Sequence, residues 1–227
     1  MSRRSAPGPP VTERRGPSQA TVIGAVVVLV FAVLVGAAVY AKTRPAEVVT
    51  PPNASGYSVP VGDAGAPATI DVYLDFQCPV CKQFEATSGP TVDKLVAGGQ
   101  ARVAYHPIAI LDRTSPDRYS TRAGAASGCA AADGVFPQYA KALYANQPAE
   151  GSAGLTDQKL AELGTQAGGS PGFAQCVDDQ TYAGWIGAAT AQAAKDGISG
   201  TPTVLVNGAP LQNPTPQAIT QAVAAAR

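Results

Sequence analysis

The chain has 227 residues, four cysteines, one histidine and a formal net charge of zero. That length suits one domain with additional segments, and a neutral chain lacks the basic surface with which proteins capture nucleic acids. The charges are unevenly distributed along the chain. Residues 1–40 carry four arginines and one glutamate, whereas residues 41–227 carry 12 basic and 15 acidic residues. We therefore expect no nucleic-acid partner, and we expect a monomer because no dimerisation segment is evident.

An uncharged run from Ala20 to Tyr40 follows the N-terminal arginines and is long enough to cross a bilayer as a helix. The positive-inside rule then leaves the N-terminus in the cytoplasm. The sequence predicts a disordered cytoplasmic tail over 1–19, a transmembrane anchor over 20–41 and a proline-containing linker over 42–56. A cleaved signal peptide is the alternative, although the run exceeds the usual apolar core of such peptides. Both interpretations place the remainder outside the cytoplasm, where disulfides persist.

The chemistry of the sequence is concentrated where a predicted strand meets two closely spaced cysteines. Apolar and polar residues alternate over 69–75, which is the period of a strand, and Pro79 then suits the first turn of a helix. Cys78 therefore lies at a helix N-terminus, where unpaired N–H groups and the helix dipole stabilise a thiolate. Cys81 lies one turn later on the same face and can close a disulfide onto Cys78. This arrangement indicates thiol–disulfide exchange.

Two other interpretations of the cysteine pair carry less weight. A zinc site needs two further ligands, and Cys129, Cys176 and His106 show no matching spacing. A disulfide with this spacing at the start of a helix would be a poor structural cross-link. We therefore expect a redox pair that needs neither a metal nor a cofactor.

The remaining patterns predict an α/β core interrupted by helices. The helix after the cysteines should kink or break at Gly89-Pro90, and a second strand over 101–110 completes a βαβ unit with a parallel strand pair. From about 118 to 196 the periodicity is helical, which indicates an inserted layer of roughly 80 residues. A strand, a hairpin turn and a last helix follow.

Two motifs in this order resemble the DsbA-like branch of the thioredoxin superfamily. The first surrounds the cysteine pair from Asp75 to Glu85, and the second is Thr201-Pro202, immediately before a strand. The resemblance covers residues 57–227 and implies a thioredoxin fold with the helical stretch as an inserted domain. The predicted anchor and the Ala/Gly/Pro content are similar to membrane-tethered actinobacterial versions.

The resemblance also implies roles for individual residues. Cys78 would be the exposed nucleophile that forms a mixed disulfide, and Cys81 would be the buried partner that resolves it. Pro202 would be a cis-proline facing the pair, and Thr201 would offer backbone hydrogen bonds to an extended substrate strand. An ordinary trans proline in a turn is the alternative for Pro202.

The sequence departs from the family pattern at two positions. Pro79 and Val80 separate the cysteines, but strongly oxidising relatives carry histidine where this chain has Val80. Valine cannot donate a hydrogen bond to a thiolate, so we expect a less depressed pKa for Cys78 and a milder oxidant. The buried acid six residues before the nucleophile is also missing, because Val72 stands there. Glu85 matches a helix acid of the family and is the candidate for proton handling, with a solvated surface glutamate as the alternative.

Cys129 and Cys176 lie 47 residues apart in predicted helices. In an oxidising compartment an even number of cysteines favours a second disulfide, and the resemblance implies that this one is structural. Buried free thiols or an electron-relaying pair are the alternatives.

The sequence thus predicts a single-pass membrane protein with an extracytoplasmic protein-disulfide oxidoreductase domain that forms disulfides in exported proteins with reduced cysteines. The resemblance implies reoxidation by a quinone-linked membrane partner of the DsbB or VKOR type. A reductase or isomerase on the same fold, including one for cytochrome maturation, is the first alternative. A non-catalytic tethered peptide-binding chaperone is the second, and the retention of both motif cysteines argues against it.

Overall fold

The computed structural model describes residues 19–43 and 48–226, and the chain divides into two units, Met1–Pro45 and Ala46–Arg227. The described part of the first unit is one helix, α1 (Gln19–Thr43). No helix of the described residues is long and apolar enough to cross a membrane, so the structure does not support the predicted anchor over 20–41. The predicted tail over 1–19 lies outside the described residues except for its last residue.

The second unit is built on a five-stranded mixed sheet. Its strands are β1 (Val59–Val61), β2 (Ala68–Leu74), β3 (Ala101–Pro107), β4 (Thr203–Val206) and β5 (Ala209–Pro210). They lie in the order β1-β3-β2-β4-β5, in which β2 and β3 are parallel and the other neighbours are antiparallel. A parallel pair needs a crossover connection, which α2 (Pro79–Ala97) supplies. The predicted βαβ unit and α/β core are confirmed.

β2 shows why the sequence forms a strand that ends at the cysteines. Its residues alternate between buried and half-buried, and Ile70, Val72 and Leu74 are on the buried face. Burial of each of these side chains contributes about 1.5–3 kcal/mol. Asp71 lies on the other face, where its carboxylate is 3.0 Å from Nε2 of His106. The strand therefore carries its apolar face up to the start of the cysteine motif.

α2 is one continuous helix, so the break expected at Gly89-Pro90 does not occur. Gly89 is buried, and an added Cβ there would lie 3.0 Å from a carboxylate oxygen of Glu85. Pro90 lies on the exposed side of the helix, where the loss of one backbone N–H is tolerated more easily than in the core. Tertiary packing of the buried side of α2 therefore overrides the local helix-breaking signal.

The predicted helical insertion is present between β3 and β4. It consists of a short 3₁₀-helix followed by α-helices, which are the 3₁₀-helix (Ile110–Thr114), α3 (Tyr119–Ala132), α4 (Phe136–Ala145), α5 (Asp157–Gln166), α6 (Phe173–Asp178) and α7 (Ala183–Lys195). α3 is rich in small residues and almost entirely buried. At Gly128 an added Cβ would lie 2.7 Å from the Cβ of Tyr182, so small residues on α3 let its neighbours approach closely. α8 (Pro216–Ala225) closes the second unit.

The end of the predicted linker belongs to the second unit and packs against its helices. Nδ2 of Asn53 donates hydrogen bonds to the carbonyl oxygens of Ala131, at 3.0 Å, and Ala132, at 3.2 Å. These carbonyls belong to the last turn of α3, where carbonyl oxygens have no N–H partner within the helix. Nε1 of Trp185 donates to the carbonyl oxygen of Gly56 at 2.8 Å. The contacts of the second unit therefore reach back to Asn53.

Candidate active site

The cysteine pair lies where β2 gives way to α2. Cys78 is the N-cap residue of α2, with an extended backbone at φ −75° and ψ 118°, and Pro79 follows in the first turn. Both thiols are free. Cys81 is 2% exposed and Cys78 is 7% exposed, so Cys78 is the more accessible sulfur but is not the exposed residue that the resemblance implied.

A loop from the far end of the chain covers Cys78. The peptide bond between Thr201 and Pro202 is cis, and the loop leads directly into β4. β4 pairs with β2 with Thr203 opposite Tyr73, which brings this loop beside the cysteines. When protonated, Cys78 donates a hydrogen bond from its thiol to the carbonyl oxygen of Thr201, at 3.3 Å. The two sequence motifs, 123 residues apart, thus meet at one sulfur.

The two thiols differ strongly in acidity. The pKa of Cys78 is lowered to about 6, first by a hydrogen bond from the Cys81 thiol and then by the Thr201 side chain and the N–H groups of Cys81 and Val80, against the opposing effect of burial. Burial raises the pKa of Cys81 far above its usual range. The Cys78 pKa of about 6 lies between about 3.5 for a strongly oxidising relative and about 7 for thioredoxin. At neutral pH, Cys78 is mainly a thiolate and Cys81 holds a proton.

This acidity gives a direct expectation for the reduced protein. Alkylation by iodoacetamide should accelerate as the pH rises through about 6 and should level off near neutral pH, because the thiolate is the nucleophile. Since the folded pKa lies below that of an unfolded thiol, the reduced form should also gain stability as the pH rises above 6. A Cys78→Ser variant, which lacks this thiol, is the negative control. An alkylation midpoint near 8.5, the ordinary value for a thiol, would contradict the assignment.

Asp75 is a buried acid that sequence reasoning did not single out. It is 0% exposed, and its carboxylate accepts hydrogen bonds from the Ser120 hydroxyl at 2.6 Å and from the backbone N–H groups of Gln77 and Leu111 at 2.9 and 3.1 Å. Burial, with a smaller contribution from the charge on Cys78, raises the pKa of Asp75 to about 6 against the effect of these hydrogen bonds. A buried acid therefore does accompany the pair, three residues before the nucleophile.

Gln147, just after α4, holds the turn that carries Cys78. Its Nε2 donates to the carbonyl oxygens of Phe76 at 3.0 Å and Cys78 at 2.9 Å. Nothing in the local sequence around Gln147 signals this contact, because the partners lie 71 and 69 residues away. The inserted helical layer thus braces the start of α2.

Replacing Gln147 by methionine should keep the side-chain volume and remove both hydrogen bonds. We expect the free energy of unfolding to fall by about 1–3 kcal/mol, because partly buried carbonyls lose a donor. Asn146→Ala is the matched control: its amide only returns to the Ala142 carbonyl on the exposed surface, so its loss should cost less than about 0.5 kcal/mol. Urea unfolding measures both, and equal losses would refute the bracing role.

Glu85 lies on α2 four residues after Cys81. It is half-buried on α2, where burial raises its pKa, nearby Lys141 lowers it and Asp93 raises it. Among the described residues, no hydrogen bond joins Glu85 to either cysteine. The side chain is therefore not fully solvated, and the described residues show no hydrogen bond through which it would act on the pair.

A groove of about 540 Å³ opens beside the cis-proline loop. Thr201, Pro202 and Val80 line the end nearest the cysteines, and Val80 is 56% exposed. Polar side chains such as Gln83 and Asn213 line the remainder. The mixture of apolar surface and amide groups suits an extended polypeptide.

The other two cysteines form a disulfide within the insertion. Cys129 of α3 and Cys176 of α6 are joined with an S–S distance of 2.03 Å and a sequence separation of 47 residues. The bridge ties two helices together and involves neither Cys78 nor Cys81. Its position supports a structural role.

Comparison with protein families and solved structures gives consistent matches. A family model described as thioredoxin matches residues 54–225. The reduced form of the disulfide bond oxidoreductase DsbG from Mycobacterium tuberculosis is 33% identical, with a TM-score of 0.67 over 75% of this chain and 88% of that chain. Reduced DsbA from the same organism is 32% identical, with a TM-score of 0.65 over 76% of this chain and 100% of that chain.

Two further matches are more limited. The thiol-disulfide oxidoreductase MdbA from Corynebacterium diphtheriae is 23% identical, with a TM-score of 0.66 over 81% of this chain and 98% of that chain, which shows a shared fold. The serine/threonine-protein kinase PknE from Mycobacterium tuberculosis is 36% identical over 124 residues. That match covers 52% of this chain but spans only 22% of the kinase, so we assign no kinase activity to this chain.

Proposed function

Because the chain belongs to the thioredoxin family and is a protein-disulfide oxidoreductase of the DsbA-like type, we propose that it forms disulfide bonds in exported proteins outside the cytoplasm. The observation that carries the proposed direction is the pKa of Cys78, which is lowered to about 6. A thiolate stabilised in the reduced enzyme favours electron flow from substrate to enzyme.

The reaction begins with the oxidised Cys78–Cys81 pair. A substrate thiolate attacks Sγ of Cys78, the bond to Cys81 breaks, and its electron pair remains on Sγ of Cys81, which takes up a proton. A second substrate thiolate then attacks the substrate sulfur of the mixed disulfide and expels Cys78 as a thiolate. The substrate leaves oxidised by two electrons and the enzyme is reduced by two. The low pKa of Cys78 makes it a good leaving group in the second step.

The surface beside Cys78 supports a polypeptide as the substrate. The Thr201 carbonyl oxygen lies 3.3 Å from the Cys78 sulfur, and the groove continues past Val80. An extended substrate segment can pair with the Thr201 backbone while its cysteine reaches Cys78. Specificity then depends on backbone geometry and access more than on one side chain, which suits an enzyme acting on many exported proteins.

The second disulfide supports the proposed compartment. Structural disulfides persist in oxidising surroundings and are rare in the cytosol of most organisms, and Cys129–Cys176 is such a bridge. Turnover in that compartment requires a reoxidant for Cys78–Cys81. We include in the proposal a quinone-linked membrane partner of the DsbB or VKOR type, which accepts the two electrons.

The proposal is tested by mixing the oxidised full chain with an unfolded, reduced protein that has two cysteines. We expect rapid formation of one substrate disulfide for each Cys78–Cys81 pair consumed, followed by slow catalysis unless an oxidant is added. In parallel, the reduced chain should reduce insulin poorly. Rapid insulin reduction without net substrate oxidation would instead favour the reductase alternative, and reactivation of a scrambled protein without net oxidation would favour the isomerase.

A further inference from the structure

A pocket of about 200 Å³ lies between α7 and the strands β2 and β3. It is lined by two buried alanines of α7 and by five larger side chains, which are Tyr57, Tyr73, His106, Gln192 and Asp196. We call it the His106 pocket. None of its residues lines the groove beside the cis-proline loop, so the two surfaces are separate.

Strand pairing builds one wall of the His106 pocket. Tyr73 and His106 are opposite each other in the parallel β2–β3 pair, so their side chains are on the same face of the sheet. Their rings stack with centroids 4.2 Å apart and an interplanar angle of 12°. The N–H of Ala109, just after β3, donates to the Thr190 hydroxyl at 2.9 Å, which holds α7 beside this wall. The small alanine side chains of α7 leave the space open.

The polar atoms that α7 and His106 offer are hydrogen-bond acceptors. Nε2 of Gln192 donates to Oδ1 of Asp196 at 2.9 Å, which leaves the other carboxylate oxygen and the Gln192 amide oxygen for an occupant. Nε2 of His106 lies 3.0 Å from Oδ1 of Asp71. Because a carboxylate only accepts, Nε2 carries the ring proton in this pair, and Nδ1 of the neutral ring is a further acceptor.

The charge at the His106 pocket is negative. Asp196 lines it, and Asp71 contacts the His106 ring. Burial first, and then the charges of Asp71 and Asp196, raise the pKa of Tyr73. No lysine or arginine is among the described residues that line the pocket. A complementary occupant therefore brings hydrogen-bond donors and a positive charge.

We propose that the His106 pocket binds a guanidinium group. A guanidinium is planar, carries five N–H donors and no acceptor, and is weakly enough hydrated to pack against aromatic rings. It would donate to the free oxygens of Asp196 and Gln192 and pack against the aromatic wall. The pocket is too small for a drug-sized ligand, whose sites begin at about 300 Å³, and it suits a single side chain.

Two sources can supply this group, an arginine side chain of a partner polypeptide or a small free guanidinium compound. The recognition chemistry is the same for both. The site involves neither Cys78 nor Cys81, so it goes beyond the proposed disulfide chemistry and does not depend on its direction.

Methylguanidinium and methylurea are the probes for this site, because they have nearly the same shape and only the first is charged. Each is titrated into the full chain at constant ionic strength and pH 7.5, where an ordinary imidazole is mainly neutral. Methylguanidinium should saturably shift the NMR signals of Tyr73, His106 and Gln192. Methylurea should bind at least about tenfold more weakly, because it loses the charge and one donor nitrogen. Methylammonium, which is not planar and is strongly hydrated, should also bind more weakly.

Asp196→Asn tests the carboxylate, and Asp179→Asn is its matched control. Each aspartate is the C-cap of its helix and accepts a hydrogen bond from a glutamine four residues earlier, at 2.9 Å in Asp196 and 2.8 Å in Asp179. Asp179 does not line the pocket. Asp196→Asn should weaken methylguanidinium binding about threefold or more, and Asp179→Asn should leave it unchanged. Neither variant should lower the unfolding temperature, since a negative charge at a helix C-terminus opposes the helix dipole.

An end-capped pentapeptide with one arginine among alanines distinguishes the two sources. Binding at least as tight as that of methylguanidinium identifies a polypeptide arginine as the occupant, and weaker binding identifies a small free compound. Both results keep the guanidinium assignment.

The wild-type titration decides the proposal even if a variant does not fold. The proposal fails if methylguanidinium gives no saturable shifts at the pocket, or if methylurea or methylammonium binds as tightly. It also fails if Asp179→Asn weakens binding as much as Asp196→Asn. Such a failure leaves the proposed function to be decided separately, by the substrate-oxidation assay.

Discussion

A Cys78→Ser variant is expected to lose substrate oxidation by more than about 10³-fold, because the disulfide with Cys81 that the substrate thiolate attacks can no longer form. Cys81→Ser should behave differently. Its Cys78 thiolate can still attack a disulfide-containing substrate and release one substrate thiolate, but no second thiol is present to expel the bound sulfur, so the variant should trap such substrates as stable mixed disulfides at Cys78. Non-reducing electrophoresis followed by mass spectrometry distinguishes the two outcomes.

The pair of variants also separates catalysis from peptide capture. A tethered chaperone would keep its function in Cys78→Ser, since the groove beside Pro202 and Val80 is unchanged. Unimpaired protection of an unfolded protein from aggregation, together with full rescue of a strain lacking the gene, would contradict the enzymatic account. Equal trapping by both variants would place the nucleophile elsewhere.

Removal of the second disulfide should cause the largest loss of stability. For Cys129→Ala with Cys176→Ala, the chain-entropy model gives about 4 kcal/mol for a loop of the observed length, 47 residues. In a domain of this size that corresponds to a decrease of about 10 °C in the unfolding temperature. Calorimetry at matched pH measures the change.

An electron-relaying role for this disulfide predicts the opposite result. If Cys129 and Cys176 relayed electrons, their removal would stop reoxidation of Cys78–Cys81 with little effect on stability. The structural role requires that the double variant, held below its unfolding temperature, oxidises substrate at nearly the wild-type rate. If Cys78 is reduced and alkylated in both proteins before thermal unfolding, the wild-type and variant samples differ only in the second disulfide.

The parts of the fold that could be predicted are those with local signals. The alternation in β2, Pro79 in the first turn of α2 and the turn residues between helices are all visible in the sequence and all present in the structure. Pro202 was found because a proline directly before a strand is unusual. Each of these inferences depends on neighbours within a few residues.

The residues that were missed depend on contacts across the chain. Strand alternation would place Asp75 on the polar face, but β2 ends at Leu74 and the backbone turns, so the carboxylate enters the interior and meets Ser120. Gln147 reaches the site from just beyond α4, a helix whose position no local pattern specifies. Of these residues, only Asp75 had a signal in the sequence, because it is a charged residue at the end of a buried strand.

The structure does not support two expectations about the helices. Continuous packing of α2 overrides the break expected at Pro90. The anchor expected over 20–41 depended on apolar length, and the described helices do not support it. The expectation that Glu85 handles protons came from its position in the motif and stays a prediction. The charge on Cys78 raises the pKa of Asp75, whereas neither cysteine is among the causes that shift the pKa of Glu85.

The reduction potential of the Cys78–Cys81 pair tests the central claim most directly. It is measured by equilibrating the protein with glutathione buffers and quantifying the two redox forms by alkylation and mass spectrometry. An acidic Cys78 and a buried, protonated Cys81 should give a value near or above about −180 mV, in the range of proteins that donate disulfides. A value near about −270 mV, that of thioredoxin, would show that the pair is a reductant and contradict the proposed function.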